Sequence, residues 1–191
     1  MSSSGGSAGL KRGVVLYGPP AAGKDTITRY LGVLDQRYVL FPCLEAGPGR
    51  TNGPRTATPT EIEELRRRGE IVWESRRHGA AHVIDRPALA ARLAEHVPVI
   101  HLRQVEGIDA VTGAFPDARW LVAFVWCPRE IAEVRVGQRG TGDTDGWDEA
   151  SIIGPADLTI NTLLTDPEDA ARQIDSRVTA MGQPWSGPPV P

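Results

Sequence analysis

Short apolar runs alternate with segments of helical periodicity along most of the chain, and this pattern predicts alternating strands and helices. The apolar runs that predict strands lie at residues 14–17, 38–44, 97–102, 120–126 and 156–162. The segments that predict helices lie at residues 26–34, 61–68, 87–96, 105–115, 128–139 and 167–181. The run at 120–126 is the most apolar, which predicts a central strand of a parallel sheet, because both faces of such a strand are covered.

The middle of the chain carries signals for the ends of its elements. Thr60 predicts the N-cap of the helix 61–68, and Glu63 completes a capping box with it. A two-stranded unit is predicted next, with strands at residues 70–74 and 81–85 and a turn at His78 and Gly79.

Strands that alternate with helices connect through right-handed crossovers, which give a mostly parallel sheet with helices on both faces. The expected fold class is therefore a three-layer α/β fold. One domain is expected over residues 13–182, because residues 1–12 and 183–191 contain too much Gly, Ser or Pro to pack and are expected to be disordered tails. Ligands in such folds bind at the carboxyl ends of the strands, so the loops that leave the strands are candidate sites.

One of these loops has the spacing of a phosphate-binding loop. The sequence Gly18-Pro19-Pro20-Ala21-Ala22-Gly23-Lys24-Asp25-Thr26 fits the pattern G-x-x-x-x-G-K between a predicted strand and a predicted helix. Glycines let the backbone N–H groups face an anion, and the positive end of the helix adds to the attraction. These nine residues are therefore candidate ligands of ATP, and Lys24 is a candidate catalytic residue. The alternative is a Gly/Pro-rich turn between a core strand and a core helix.

The position after the lysine departs from the consensus, which has Ser or Thr there to bind Mg²⁺. This chain has Asp25, followed by Thr26. A carboxylate beside a triphosphate is repelled unless a cation lies between them, so Asp25 is a candidate Mg²⁺ ligand, direct or through water. Thr26 is the alternative source of a hydroxyl.

Two segments resemble proteins of one kinase group. The phosphate loop resembles those of nucleoside monophosphate kinases, and its Gly-Lys-Asp form is similar to that of ribose 1,5-bisphosphate phosphokinases, which are relatives of guanylate kinase. Residues 134–141, Val-Arg-Val-Gly-Gln-Arg-Gly-Thr, resemble the lid of guanylate kinase. The resemblance implies a P-loop NTPase fold with a lid over about residues 136–155. It also implies that Arg135 and Arg139 stabilise charge on the transferred phosphate as catalytic residues. The alternative is an ordinary solvated helix face.

The same resemblance implies an acceptor-binding insert over about residues 45–86. Its candidate substrate-binding residues are Arg50, Arg55, Glu74, Arg76 and Asp85. The loop that contains Arg50 and Arg55 resembles a guanylate kinase segment that holds the acceptor phosphate, but with the two arginines further apart. Glu74, or Trp73 if the register slips by one residue, falls where the family has a carboxylate that reads the base. The Tyr-Gly pair of the family is missing, so guanine recognition does not carry over; His78 and His82 are weaker candidates.

A further departure concerns the metal. The strand 97–102 is followed by Arg103 and contains His101 where guanylate kinases carry acidic residues near the metal. Asp85, Glu106 and Asp109 are candidate substitutes; otherwise Asp25 is the only nearby carboxylate. Asn161, after the last predicted strand, is a candidate contact of the adenine.

Composition limits the expected partners. The formal net charge of −3 argues against a broad nucleic-acid surface. Cys43 and Cys127 lack metal-ligand spacing and are expected to be free thiols in a reducing compartment. There is no apolar segment of membrane-spanning length and no signal sequence, so a cytoplasmic protein without a membrane partner is expected, as a monomer or homodimer.

The expected function is ATP- and Mg²⁺-dependent transfer of a phosphoryl group to a small acceptor that already bears a phosphate. That acceptor is a nucleoside monophosphate or a sugar phosphate. Two alternatives stay open. One is a kinase of an unphosphorylated hydroxyl, with Asp85 as the base. The other is a non-catalytic, nucleotide-binding regulatory module of guanylate-kinase-like fold.

Overall fold

A computed structural model of the protein describes residues 10–47, 55–77, 79–139 and 154–182. The strands in this part of the chain are β1 Arg12–Tyr17, β2 Tyr38–Leu40, β3 Leu44–Ala46, β4 Ile71–Arg77, β5 Ala80–Asp85, β6 Val97–Leu102, β7 Arg119–Trp126 and β8 Leu158–Asn161. The helices are α1 Lys24–Leu34, α2 Pro59–Arg67, α3 Arg86–Glu95, α4 Glu106–Ala114, α5 Arg129–Arg139 and α6 Pro167–Ala180.

The main sheet is parallel and has the strand order β2-β6-β1-β7-β8. Helices α1, α5 and α6 contribute to the apolar cluster on one face, and helices α3 and α4 contribute to the cluster on the other. The predicted three-layer α/β fold with a parallel sheet is therefore confirmed. Strand β7 is an interior strand as expected, although β1 occupies the centre.

Strand β1 joins the two apolar clusters because alternate side chains of a strand point to opposite faces. Val14 and Leu16 belong to the cluster with α1 and α6, whereas Val15 and Tyr17 belong to the one with α3 and α4. All of these side chains are fully buried, and burial of each large apolar side chain contributes about 1.5–3 kcal/mol. The strand that leads into the phosphate loop is thus buried on both faces.

A small antiparallel sheet with the order β3-β5-β4 forms the insert. Helix α2 covers one face through Ile62, which packs with Ala46, Ala81 and Val83. The expectation of one strand over residues 38–44 is wrong. Residues Tyr38–Leu40 pair with β6 in the main sheet, whereas Leu44–Ala46 pair with β5 in the small one. Pro42 lies between them, and its missing N–H suits a break in strand pairing.

The start of α2 also differs from the expectation. Thr58, not Thr60, is the N-cap: its hydroxyl accepts from the N–H of Glu61, and the carboxylate of Glu61 accepts from the N–H of Thr58. The predicted pairing of Thr60 with Glu63 is therefore wrong. The physical reason is Pro59, which fits the first helical position and moves the cap one residue before it.

None of the described helices is both long enough and apolar enough to cross a membrane.

Candidate active site

The loop between β1 and α1 has the backbone that its glycines predict. Gly18 and Gly23 have φ of 138° and 106°, and Ala21 has a φ of 56°. A Cβ at Gly18 would lie 2.0 Å from the carbonyl oxygen of Val125, so only glycine fits there. Positive φ at these three positions curves the backbone into a tight loop, the kind of backbone that forms anion-binding concavities in proteins.

The prolines of the loop limit which residues donate to that anion. Pro19 and Pro20 have no N–H, and the N–H of Ala22 donates to the carbonyl oxygen of Pro19 at 3.4 Å. The candidate amide donors to a phosphate are therefore at Ala21, at Gly23 and in the first turn of α1. The amides of a helix's first turn and the positive end of the helix dipole favour a phosphate at the same place. The two prolines therefore shape the loop rather than donate to the phosphate.

Lys24 occupies the centre of the loop. Its side chain is buried, with 8% of the residue exposed, and Nζ donates to the carbonyl oxygens of Gly18 and Pro19 at 2.7 Å each. These two hydrogen bonds fix the ammonium group of Lys24 inside the curve of the loop. An anion bound there would supply the opposite charge that a buried ammonium favours.

Asp25 and Thr26 face different cavities. Asp25, whose side chain is 79% exposed, lines a cavity of ≈ 170 Å³ together with Lys24, His101 and Arg103. Thr26 lines a second cavity, on the side of α5 and β8. The structure therefore does not bring the two predicted metal ligands together. In the described residues, no group of three or more His, Cys, Asp or Glu side chains is placed to bind a metal.

The second cavity measures ≈ 410 Å³ and lies between the phosphate loop, α5 and the segment after β8. Its lining residues are Gly23, Thr26, Ile27, Arg135, Gln138 and Thr162 to Pro167. The apolar side chains of Leu163 and Leu164 are 51% and 81% exposed along it. Asn161 Oδ1 accepts from the N–H of Leu163 at 3.0 Å, so this side chain shapes the segment.

Arg135 binds the phosphate loop directly. Its Nη1 donates to the carbonyl oxygen of Ala21 at 3.2 Å and to Thr162 Oγ1 at 2.9 Å, and Nη2 donates to the carbonyl oxygen of Thr162 at 3.0 Å. Thr162 Oγ1 in turn donates to the carbonyl oxygen of Ala22 at 2.7 Å. Arg135 is thus next to the phosphate loop, and its role on the transferred phosphate stays a prediction. The side chain of Arg139, like residues 140–153 of the predicted lid, lies outside the described part of the chain.

Sequence reasoning missed Thr162 as a contact of the loop. It directly follows the carboxyl end of β8, the edge at which ligands of parallel sheets bind, and this position was the available signal.

Arg55 and Asp85, both predicted to bind the substrate, are brought together as an ion pair. Arg55 Nη2 is 2.7 Å from Asp85 Oδ2, and Nη1 donates to the carbonyl oxygen of Pro42 at 3.2 Å. Asp85 is 4% exposed, and its other oxygen accepts from the N–H of Ala88, which caps α3. The pair therefore ties the insert to α3. Arg50 lies outside the described residues, so its predicted contact with the acceptor phosphate stays a prediction.

Glu74 and Arg76 lie on the face of the insert that α2 covers. Glu74 Oε2 is 2.6 Å from Arg66 of α2, and Oε1 is 3.5 Å from Arg76. Their role in substrate binding stays a prediction, and these ion pairs do not support it.

The opposite face of the insert carries a different polar set. Strand register places Ser75 and Glu45 beside His82, and His82 Nδ1 is 3.5 Å from Glu45 Oε1. Trp73 shares this face and packs on the main domain, where a Cβ at Gly107 of α4 would lie 3.1 Å from the indole. The other candidate of this segment, His78, lies outside the described residues.

The loop, its buried lysine and the attached arginine define a P-loop kinase of small substrates, and comparison with known proteins agrees. No model of a protein family matches the sequence. A guanylate kinase of Mycobacterium sp. (strain MCS) is 32% identical over 145 residues, which span 72% of this chain and 72% of that protein. The chain therefore belongs to the guanylate kinase family and is a P-loop nucleotide kinase, a phosphotransferase.

Solved structures show the same fold. The crystal structure of guanylate kinase from Anaplasma phagocytophilum matches with a TM-score of 0.63 and 16% identity, over 92% of this chain and 88% of that one. The crystal structure of a protein named APE1195 matches with a TM-score of 0.50 and 20% identity, over 91% and 98%. The predicted resemblance to guanylate-kinase-like P-loop kinases and the predicted enzyme class are confirmed.

Proposed function

We propose that the protein transfers the γ-phosphoryl group of ATP to a nucleoside monophosphate, with a divalent cation. The observation that carries the proposal is the position of Lys24 at the centre of a loop that Arg135 also binds. Phosphoryl transfer requires alignment of two charged reactants and positive charge around the moving group, and these side chains supply that charge.

The cavity of ≈ 410 Å³ is the proposed nucleoside site of ATP. Its size falls within the range of small-molecule sites, and the exposed Leu163 and Leu164 offer apolar contact for a base. The phosphates would then follow the amides from Ala21 into α1, with the β and γ groups at Lys24. Arg139 is proposed to join Arg135 in stabilising the transferred group.

Asp25 is the proposed protein ligand of the cation. The donor chemistry fits, because Mg²⁺ binds through one or two carboxylates and substrate phosphates and retains several waters. The exposed carboxylate of Asp25 opens on the cavity beside Lys24. Thr26 faces the nucleoside cavity and remains the weaker candidate.

Replacing Asp25 tests this assignment. Asp25→Ala is expected to abolish turnover, because the cation on the triphosphate then loses its proposed protein ligand. The measurement is steady-state kinetics over a range of Mg²⁺ concentrations, with Glu168→Ala, at an exposed position of α6, as the control for loss of a carboxylate. Unchanged turnover of Asp25→Ala at saturating Mg²⁺ would refute the role.

A sugar phosphate is the second candidate acceptor, and the polar face of the insert is compatible with it. Glu45, His82 and Ser75 form a row of hydrogen-bonding groups on the face of the insert that Trp73 shares. Carboxylate, imidazole and hydroxyl groups suit the hydroxyls of a sugar as well as the edge of a base. Arg55, bound to Asp85, and Arg50 are the proposed contacts of the acceptor phosphate.

A coupled assay of ADP release over a panel of nucleoside and sugar monophosphates tests the proposal. Stimulation by a nucleoside monophosphate supports it, and stimulation by sugar phosphates alone selects the second candidate. ADP release that only unphosphorylated hydroxyl compounds stimulate would contradict both. No stimulation by any acceptor, with ATP still bound, would favour a non-catalytic nucleotide-binding module.

A further inference from the structure

His101 lies beside Asp25 at the mouth of the phosphate loop, at the carboxyl end of β6. Its Nδ1 is 3.5 Å from Asp25 Oδ1, and its Nε2 is 2.7 Å from Thr28 Oγ1. Both His101 and Asp25 line the cavity of ≈ 170 Å³ that adjoins Lys24. An imidazole is therefore next to the carboxylate that we assign to the cation.

The hydrogen bonds of Thr28 determine which nitrogen of His101 carries the proton. Thr28 Oγ1 donates to the carbonyl oxygen of Lys24 at 2.9 Å, the usual bond of a threonine inside a helix. The single hydroxyl proton is used in that bond, so Oγ1 accepts from Nε2–H of His101. In the neutral ring the lone pair is then on Nδ1, the nitrogen nearest Asp25.

The separation of these two atoms suits ligands of one metal ion. Metal–ligand bonds of about 2.1 Å that meet at angles between 90° and 109° place two donors roughly 3.0–3.4 Å apart. The distance of 3.5 Å between Nδ1 and Oδ1 needs only a small adjustment to reach that range. The bond from Nε2 to Thr28 is the supporting contact that orients a metal-binding imidazole in many proteins.

From these contacts we propose that Nδ1 of His101 and the carboxylate of Asp25 together bind the divalent cation of ATP. The inference rests on the proposed function, which places that cation at Asp25. A mixed nitrogen and oxygen donor set binds first-row transition ions such as Mn²⁺ and Co²⁺ more tightly than Mg²⁺, which strongly prefers oxygen. The metal preference of this enzyme is thus set by His101.

Pulsed electron paramagnetic resonance of Mn²⁺ bound with ATP, without an acceptor, tests the proposal on the full-length protein. Nitrogen bonded to Mn²⁺ modulates the electron spin echo, so the ligand is detected without any activity measurement. The variants are His101→Gln and the control His96→Gln. His96 directly precedes β6, at the end opposite His101, and its Nδ1 is 4.0 Å from the carboxylate of Glu95.

The wild-type protein and His96→Gln are expected to show the nitrogen modulation, and His101→Gln is expected to lose it. The dissociation constant of Mn²⁺ from the ATP complex should rise in His101→Gln by at least about 10- to 100-fold, because that is the loss for a contact that only supports a metal ligand, and a direct ligand contributes no less. The dissociation constant of Mg²⁺ should change much less, so the metal preference in turnover should shift from Mn²⁺ towards Mg²⁺.

Two results would overturn the inference, and they are distinguishable. If wild-type protein binds Mn²⁺ and ATP without nitrogen modulation, His101 is not a ligand, and the proposed function is unaffected. If calorimetry detects no ATP binding with either metal, the proposed function fails and the inference fails with it. Whether His101 is excluded as a ligand is read from the wild-type spectrum alone, so this result does not depend on the stability of His101→Gln.

Discussion

Arg135 and Arg129 lie on the same helix but have different surroundings. Arg135 donates to Ala21 and Thr162 at the phosphate loop, whereas Arg129 pairs with Glu133 at 3.0 Å on an exposed surface. The sequence alone left both a lid role and a solvated helix face open for Arg135. Its contacts support a role next to the phosphates.

Replacing each arginine separates a role at the phosphates from a general effect of charge. Arg135→Ala is expected to lower kcat/KM by about 10²- to 10³-fold, the usual cost of removing one group that stabilises transition-state charge. Arg129→Ala should change kcat/KM by no more than about twofold, because exposed ion pairs contribute little. Steady-state kinetics with saturating acceptor measures both. Equal losses for the two variants would contradict the assignment.

Cys43 has a thiol that ionises only at high pH. Burial raises its pKa to about 11, and the nearby carboxylate of Glu45 acts in the same direction. Only the thiolate reacts with disulfide reagents, so the modification rate of Cys43 in a Cys127→Ala variant should rise about tenfold per pH unit up to about pH 10. Stopped-flow absorbance with a chromogenic disulfide follows it. A rate that levels off near pH 9 would show an ordinary thiol and contradict the burial argument.

At the scale of elements, two pairs at the start of α2 have the spacing of a capping box, Thr58 with Glu61 and Thr60 with Glu63. Thr58 and Glu61 form it, whereas Thr60 is exposed within the first turn. Proline at the first helical position decides between the two, because the residue before a proline favours the extended conformation that an N-cap needs.

Thr58→Ala is expected to lower the free energy of unfolding by about 1 kcal/mol, the usual cost of losing an N-cap. Thr60→Ala is the matched control and should stay within about 0.5 kcal/mol, as exposed substitutions do. Urea unfolding monitored by circular dichroism compares the two with the wild type. A larger loss for Thr60→Ala would mean that the box uses the later threonine.

At the scale of the whole molecule, ATP binding is coupled to stability. A ligand that binds only the folded protein adds about 2.7 kcal/mol when its concentration is 100 times its dissociation constant. For a domain of this size, that corresponds to a rise of about 5–10 °C in Tm. Scanning calorimetry with and without ATP measures the shift. Lys24→Met should remove most of it, and a shift equal to that of the wild type would contradict the proposed phosphate contact.

The phosphate loop, which sequence reasoning found from local pattern, is contiguous in the chain, whereas Arg135 was placed near it only by resemblance to a family. The loop from Gly18 to Thr26 follows from glycine conformation, proline chemistry and the flanking apolar pattern, all of which are local. The division of residues 38–46 into two strands was missed because it depends on their different partner strands, β6 and β5, which lie far away in the chain.

The parts that were missed join distant segments. Thr162 contacts the loop from the end of β8, and His101 contacts Asp25 from the end of β6. Glu45, Ser75 and His82 form one row only through the register of β3, β4 and β5. The spacing of residues along the chain gives no information about such long-range contacts.

The sequence by itself determined the layers of the fold and the phosphate loop, because apolar periodicity and the conformations open to glycine and proline act within a few residues. The tertiary structure decided which side chains face the loop. The order of strands in the main sheet places the ends of β6 and β8 near the phosphate loop. The pairing of β4 with β5 points Glu74 towards α2 and His82 away from α2. Those outcomes depend on contacts between segments far apart in the chain, where local preferences exert no influence.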